Sequence, residues 1–517
     1  MAEIANRAII PYMRHLPSLF LSTILAPFAL AAAIPERPNI VVILSDDAGF
    51  EEFGIYKVMP DIPSNTPNID ELGERGVAFA HCWGQAICGP SRSMFITGNY
   101  PVHNGAYDNK LFYLPGQVDR PAHKARMPHF TQIAQAAGYK VAVSGKWHNP
   151  SGYMLPDEAK ELGVDTYRVW DASPEPFEER LGHKLVPDDT WETAAISGLP
   201  KISRYWKPGI IQDDTVIPTT MDDYGPDMFN DFVLDFMETQ TKAEQPFLVY
   251  YTQVLPHGAH CPTPDLVSQG MKATNENTKK GTEEGMKMFR AQMNYADKLV
   301  GKVVERIDEL GIADNTIIIY ASDNGTTSSS KGKGVEYGVH VPLMIAGAGV
   351  QQRGMSNELV DFTDICPTIM DLVGGSLPKG QSVDGISLVP FLSGHSERTK
   401  DVIYAFPGPS RLVRTKDFML EAASDLYDTP QGRFYQTNGS WDGRGYENVT
   451  HNPEFAAQRK AFDAHMAEYP TVLPSSWDDP LWQEPKMQKG YKFFNNSKRK
   501  ATHQRLPLEY PFYDPSF

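Results

Sequence analysis

Four apolar runs in this chain each lead into side chains able to do chemistry. "NIVVILS" (39–45) runs into Asp46-Asp47, and "KVAVS" (140–144) into Gly145-Lys146-Trp147-His148. "PFLVYYT" (246–252) is followed closely by Pro256-His257, and "NTIIIYAS" (315–322) by Asp323-Asn324-Gly325. Asp46, Asp47, Asp323 and Asn324 all offer oxygen. Such a set suits a hard divalent cation, Ca²⁺ or Mg²⁺, better than zinc, which prefers His and Cys. Asp-Asp and Asp-Asn-Gly are also ordinary turn residues; two such pairs, each directly after an apolar run, favour the cation. A fifth segment, "ICGPSRSMFITGNYP" (87–101), holds Cys88, one of four cysteines. Pro90 fits the first turn of a helix. The helix N-terminus would present free N–H groups and the positive end of a dipole to an anion. Arg92, one turn in, can hold a charged oxygen or a neighbouring metal ligand. A bare thiol there is expected to have a lowered pKa and to be reactive; a buried, inert cysteine is the plainer alternative.

The elements that must position these groups are readable around them. The apolar runs, with "VPLMIAG" (341–347), read as strands buried on both faces. Between them lie punctuated helices. "TPNIDELGERG" has Thr66 as N-cap, Pro67 at the first helical position and Gly76 as stop. "FRAQMNYADKLVGKVVERIDELG" is a long amphipathic helix closed by Gly311, and "DICPTIMDLVGG" a shorter one. Strands alternating with helices predict an α/β fold with a large, mostly parallel sheet covered by helices on both faces. In such sheets ligands bind outside the carboxyl ends of the strands, where all four runs deliver their polar residues. After about residue 395 the pattern changes to short antiparallel strands and a helix near 453–468, which predicts a smaller α+β subdomain. The expected division is a leader at 1–33, a main domain at 34–395, and a C-terminal subdomain with a wrapping tail at 396–517. Residues 151–225 read as long insertions over one face, where binding loops belong.

The formal net charge of −16 argues against nucleic acid as a partner. An anionic ligand would have to be held by local positive groups. Arg7 and Arg14 precede "LPSLFLSTILAPFALAAA", which reads as an export signal cleaved near Ala31 to Ala33 rather than a retained anchor. A periplasmic or extracellular location without stable membrane insertion is therefore expected. Cys82, Cys88, Cys261 and Cys366 form no dense disulfide framework.

"CGPSR" followed by "SMFITG" resembles the signature of the type I sulfatases, members of the alkaline-phosphatase-like superfamily. "NIVVILSDDAGF", "TPNIDELGERGVAF", "GYKVAVSGKWH", "PFLVYYTQVLPH", "SDNG", "GKG…YG…VPLMI" and "DFTDICPTIMDLVGG…DGISLVPFLSG" are similar to that family's blocks, in its order. The resemblance implies an alkaline-phosphatase-like fold and hydrolysis of sulfuric esters. It implies conversion of Cys88 to formylglycine by a formylglycine-generating enzyme, with the hydrated aldehyde supplying the oxygen that attacks sulfur. It implies that Asp46, Asp47, Asp323 and Asn324, with the converted Cys88, hold a metal, usually calcium. Lys146, His257 and Lys333 would bind sulfate and assist the leaving group, His257 as general acid. His148 would be the base that regenerates the aldehyde, and Arg92 would steady the nucleophile and metal shell.

This chain departs from the family in "GKGVEYGVHVPLMI", where His340 stands at a position commonly arginine, so the reach of Lys333 into the site is in question. His103 and His260 lie near matched blocks, with structural roles at least as apt. A sulfated carbohydrate or polysaccharide is the expected substrate, with Trp170, Trp191 and Trp206 available for sugar stacking or for core packing. Two other functions compete. One is phosphoester or phosphonate hydrolysis with the same nucleophile. The other is non-catalytic binding of sulfated glycans, with the basic run "KRKATHQR" as a possible contact.

Overall fold

A computed structural model of the chain describes residues 33–469, apart from 59–64, 105, 107–126, 148–155, 171–203, 214, 221, 259, 273, 275–278, 280, 328, 396–399, 407–409 and 425–429. The proposed leader, most of the insertion at 151–225, His148, Trp191 and the tail from 470 lie outside the described residues.

Ten strands form the main sheet, in the order β10-β2-β9-β8-β1-β7-β3-β4-β5-β6. Its centre is β1 (Asn39–Ser45), flanked by β7 (Phe247–Thr252) and β8 (Thr316–Ser322), both parallel to it. Beyond β7 come β3 (Lys140–Gly145) and β4 (Thr166–Trp170), also parallel. Every residue of β1 is buried. Ile40, Val42 and Leu44 join one core and Val41 and Ile43 the other, as alternation across a doubly covered sheet requires. The helices divide accordingly. On one side lie α2 (Cys88–Thr97), α3 (Phe130–Ala136) and α6 (Ile365–Leu372); on the other lie α1 (Pro67–Arg75), α4 (Gly225–Lys242) and α5 (Glu283–Glu309).

Five strands of this sheet were not read from the sequence, three of them inside the stretch 151–225 that reads as insertions over one face, and one strand that was read runs against its neighbours. Β2 (Val77–Trp83) and β10 (Gly354–Asp361) pair in parallel and extend one side. Between β2 and β8 sits β9 (Leu343–Gly347), the "VPLMI" strand, antiparallel to both. This reversal matters for the site. A strand that runs backwards starts at the edge where its parallel neighbours end, so residues 326–342 are held at that edge. On the other side β5 (Ile210–Gln212) and β6 (Thr215–Ile217) complete the sheet, β5 antiparallel to β4.

A second, antiparallel sheet follows the order β11 (Ile403–Ala405), β12 (Arg411–Arg414), β13 (Phe418–Ala423), β14 (Arg433–Gln436) and β15 (Glu447–Asn448). One face packs on Trp83, Val339 and Leu359 of the main body. The other lies against Phe462 and Met466 of helix α7 (Ala456–Ala467). No helix among the described residues is long and apolar enough to cross a membrane.

Candidate active site

Strand register brings the polar ends together. Ser45 of β1 pairs with Ser322 of β8, and Leu44 of β1 and Gly145 of β3 both align with Thr252 of β7. Asp46, Asp323 and Lys146 therefore leave the sheet at one level, each tied to a neighbouring strand end. Asp46 N–H donates to Leu255 O at 2.9 Å, Asp323 N–H to Ser45 O at 3.1 Å, and Lys146 N–H to Thr252 O at 2.8 Å. The last bond needs glycine before it: Gly145 has φ +97°, and a Cβ there would lie 1.9 Å from Thr252 O. Consecutive strand residues point to opposite faces, yet Asp46 and Asp47 converge because Asp47 turns the chain with a left-handed φ of 72°.

Cys88 opens α2 and is buried within this ring. Its Sγ lies 3.7 Å from Asp46 Oδ1 and 3.6 Å from Asp47 Oδ1. Lys146 Nζ bonds both oxygens of Asp46, at 2.9 and 2.7 Å. Arg92 Nε donates to Asp323 Oδ2 at 2.8 Å, and its Nη1 to Lys146 O at 3.0 Å. Ser91 Oγ donates to Asp323 O and accepts from Gln85 N–H at 3.0 Å, fixing the first turn of α2 against the end of β8. Asn324 Nδ2 donates to Asp47 Oδ1 at 3.0 Å. His257 Nε2 lies 3.7 Å from Asp47 Oδ2.

Lys333 is the lysine that the resemblance assigns here, but the ammonium that reaches the site is that of Lys331. Its Nζ lies 3.1 Å from Cys88 Sγ and bonds Asp47 Oδ1. The physical reason is the turn that carries it. Lys331 N–H donates to Thr326 O at 3.1 Å and Gly332 N–H to Ala86 O at 2.7 Å, which seats the turn beside the start of α2. Lys333 is half-buried, and burial alone lowers its pKa. The second sheet braces the same loop. Glu336 is salt-bridged to Arg414, Glu336 N–H donates to Glu421 Oε2 at 2.9 Å, and Ala422 N–H donates to Gly334 O at 2.9 Å. Glu421 in turn takes Arg433 at 2.6 Å.

The other histidines near matched blocks sit elsewhere. His340 is buried and stacked on Phe50 with centroids 3.7 Å apart, His260 bonds Gln292 Oε1 at 3.0 Å, and His103 pairs with Asp384 at 2.8 Å. Trp206 is buried, with Nε1 donating to Pro262 O at 2.9 Å, a packing role.

Electrostatics corrects the expectation of a reactive thiol. Burial pushes the Cys88 thiol up to about 12, against the pull of Lys146 and Lys331. Desolvation of the thiolate outweighs both cations, and the neighbouring Asp323 and Asp47 add to it. Burial also pushes Asp46 up to about 6, opposed first by Lys146. Burial acts likewise on Asp47, but Lys331, His257 and Lys146 together hold it well below the usual carboxylate range. Burial, followed by the charge of Arg204, holds His257 well below the usual imidazole range.

The donor set fits a divalent cation. Ligand atoms of Asp46, Asp47, Cys88 and His257 all lie within 4.8 Å of one another. Asp47 Oδ2 and Asn324 Oδ1 are buried without a hydrogen-bond partner, a cost that an ion would remove. Asp323 spends one lone pair of Oδ1 on Asp47 N–H and one of Oδ2 on Arg92, which leaves lone pairs on both oxygens. With a protonated thiol the set is incomplete; with an oxygen in place of Sγ it becomes the hard, oxygen-rich set that Ca²⁺ or Mg²⁺ prefers.

Comparison with known proteins gives this arrangement its family. Human arylsulfatase A is 26% identical over 76% of this chain and 75% of its own length. An ulvan-active sulfatase of Formosa agariphila is 26% identical over 75% of this chain and 66% of its own. In fold, the crystal structure of Ps i-CgsB in complex with k-i-k-neocarrahexaose superposes with a TM-score of 0.66 at 21% identity, covering 89% of this chain and all of that one. The Sulfatase family profile matches residues 38–375, a stretch that holds every strand of the main sheet and the whole ring around Cys88, and the chain belongs to that family of enzymes.

Proposed function

We propose that the chain hydrolyses sulfate esters of saccharides, with Cys88 converted to formylglycine and a divalent cation, Ca²⁺ before Mg²⁺, held by Asp46, Asp47, Asp323 and Asn324. The observation that carries this reading is the buried Cys88 inside a ring of Asp46, Asp47, Lys146, Lys331 and His257. Burial that pushes the thiol up to about 12 makes it a poor nucleophile at neutral pH, which favours an oxygen nucleophile formed from it. The cation would supply positive charge to polarise a sulfate oxygen and acidify a bound hydroxyl.

The chain's own side chains divide the remaining work. Arg92 holds Asp323 and the Lys146 carbonyl, and so keeps the carboxylates in register behind the nucleophile. Lys146 and Lys331 place two ammonium groups around the position that sulfate would take. His257 stands where it can hand a proton to the leaving oxygen. Burial, followed by Arg204, holds it well below the usual imidazole range, and the negative charge of a bound ester favours its protonated form. His148 retains the role of second-step base on the resemblance alone. The saccharide is supported by the relative described as ulvan-active and by the neocarrahexaose bound to the structural neighbour. Export, and maturation by a formylglycine-generating enzyme, belong to the same proposal.

Peptide mass spectrometry of active material, paired with turnover of matched sulfate and phosphate esters, tests it. The expected result is an aldehyde at residue 88, faster turnover of the sulfate ester, and loss of activity in Cys88→Ala. Full activity with an unmodified thiol, or in Cys88→Ala, refutes the mechanism; preference for the phosphate ester transfers the site to phosphoryl chemistry.

A further inference from the structure

Three cations of the site are matched by acids: Arg92 to Asp323, Lys146 to Asp46 and Lys331 to Asp47. Arg204 is not. Among the described residues no carboxylate pairs with it, and its Nη1 is buried without a hydrogen-bond partner. A guanidinium half withdrawn from water with no counter-charge is costly unless a ligand completes it.

Its placement is fixed from both sides. The guanidinium carbon lies 4.3 Å from the ring centroid of Trp170, the last residue of β4, which reaches the same edge of the sheet as Lys146. The next residue, Tyr205, bonds through its hydroxyl to Val254 O at 3.2 Å and to His257 O, tying this segment to the loop that carries His257. Gly225 closes on the segment from behind: Gly225 N–H donates to Tyr205 O at 2.6 Å, and a Cβ on Gly225 would fall 2.3 Å from Arg204 O. Through Trp170 and Tyr205, Arg204 is therefore held at the carboxyl edge of the sheet, beside the loop that carries His257.

On the reading proposed above, that edge is where a saccharide carrying the scissile sulfate would lie. We propose that Arg204, flattened on Trp170, is a subsite for a second anionic group of the saccharide, a sulfate or a uronic carboxylate on the residue next to the scissile ester. A planar guanidinium held on an aromatic face matches either oxyanion with two parallel hydrogen bonds.

The test uses the full chain with conversion at Cys88 verified, and galactose 6-sulfate joined to neutral galactose, to sulfated galactose or to glucuronic acid. The expected ratio of kcat/KM, anionic over neutral disaccharide, is about ten- to a hundredfold, the worth of a charge-assisted pair. In Arg204→Met the ratio should collapse to near one, and Arg204→Lys should restore part of it. Whichever disaccharide shows the larger ratio identifies the group bound. A wild-type ratio near one, or a ratio unchanged in Arg204→Met, overturns the subsite while leaving the sulfatase reading intact. Calorimetric binding of the same disaccharides to Cys88→Ala separates the two in the other direction. Arg204-dependent binding without any sulfate turnover by the wild type would keep the subsite and sink the sulfatase reading; binding indifferent to Arg204 would sink the subsite.

Discussion

Replacing Lys331 and Lys333 separately distinguishes the structure's assignment from the one the motif suggests. Lys331 Nζ is 3.1 Å from Cys88 Sγ and bonded to Asp47, and its side chain is 16% exposed. At that separation an effective dielectric near 20 gives a gross interaction of about 5 kcal/mol with a unit charge on the residue-88 atom. Desolvation and residual water contact reduce the part specific to the transition state to roughly 3 kcal/mol, in line with loss of one preorganised donor, about a hundredfold in kcat. Lys331→Met should therefore lower kcat by about a hundredfold, with KM for a small aryl sulfate changing much less. Lys333→Met should change kcat by less than about threefold, because burial is the only influence found on that ammonium. Steady-state kinetics on 4-nitrophenyl sulfate decides, with conversion at Cys88 measured in each preparation, since Lys331 lies against that residue. A collapse in Lys333→Met alongside a near-normal Lys331→Met would refute the geometry of the turn at 326–332.

Two further outcomes follow from the same buried charges. Chelation should remove activity and lower the Tm, and Ca²⁺ should restore both. An ion present at a hundred times its Kd contributes about 2.7 kcal/mol, so a Tm that is indifferent to chelator and calcium would count against the cation. Glu51 supplies the pH test. Burial, then Glu52, pushes its carboxyl from 4.5 up to about 8, with Thr326 Oγ1 donating to it at 2.7 Å. Between those two values the folded chain keeps a proton that the unfolded chain releases, so this group's contribution falls as pH rises, by at most about 1.4 kcal/mol per pH unit. Glu51→Gln keeps the acceptor and removes the titration. Its Tm relative to wild type should climb steadily from pH 5 to pH 8, and a constant difference would mean that Glu51 is already ionised in the fold.

Much of this site was legible because its residues follow strands whose apolar runs are continuous. Β1, β3, β7 and β8 are buried on both faces, so nothing but core explains "VVIL" or "IIIY", and whatever follows must emerge at one edge. Β2 escaped notice because "VAFAHCW" mixes alanine, histidine and tryptophan and follows a helix after the single residue Gly76. The direction of β9 was not legible at all: hydrophobic pattern carries no sense of polarity, and only pairing with β2 and β8 reverses it. That reversal is what brings the turn at 326–332 to Cys88. "SSSKGKG" offers two lysines flanking Gly332 with no local feature to choose between them; the choice is made by the bond from Gly332 N–H to Ala86 O, a tertiary contact. Arg204 left no sequence signal either, because its meaning depends on having no acid beside it among the described residues.

The charges around Cys88 give the proposed cation an electrostatic role. Asp46, Asp47 and Asp323 are matched by Lys146, Lys331 and Arg92, so the fixed groups cancel and offer a sulfate ester no net attraction, within a chain that is itself strongly negative. The same pairing keeps three carboxylates buried together, which their mutual repulsion would otherwise forbid. A divalent ion added to a neutral ring makes the pocket positive without disturbing that balance, and Arg204 adds one further charge on the saccharide side. On the proposed reading the lysines and Arg92 hold the acids together, the ion adds both stability and positive charge, and Arg204 adds charge for a second anionic group. On this division, removal of the ion should weaken binding of every sulfated ligand, whereas removal of Arg204 should weaken only those with a second anionic group.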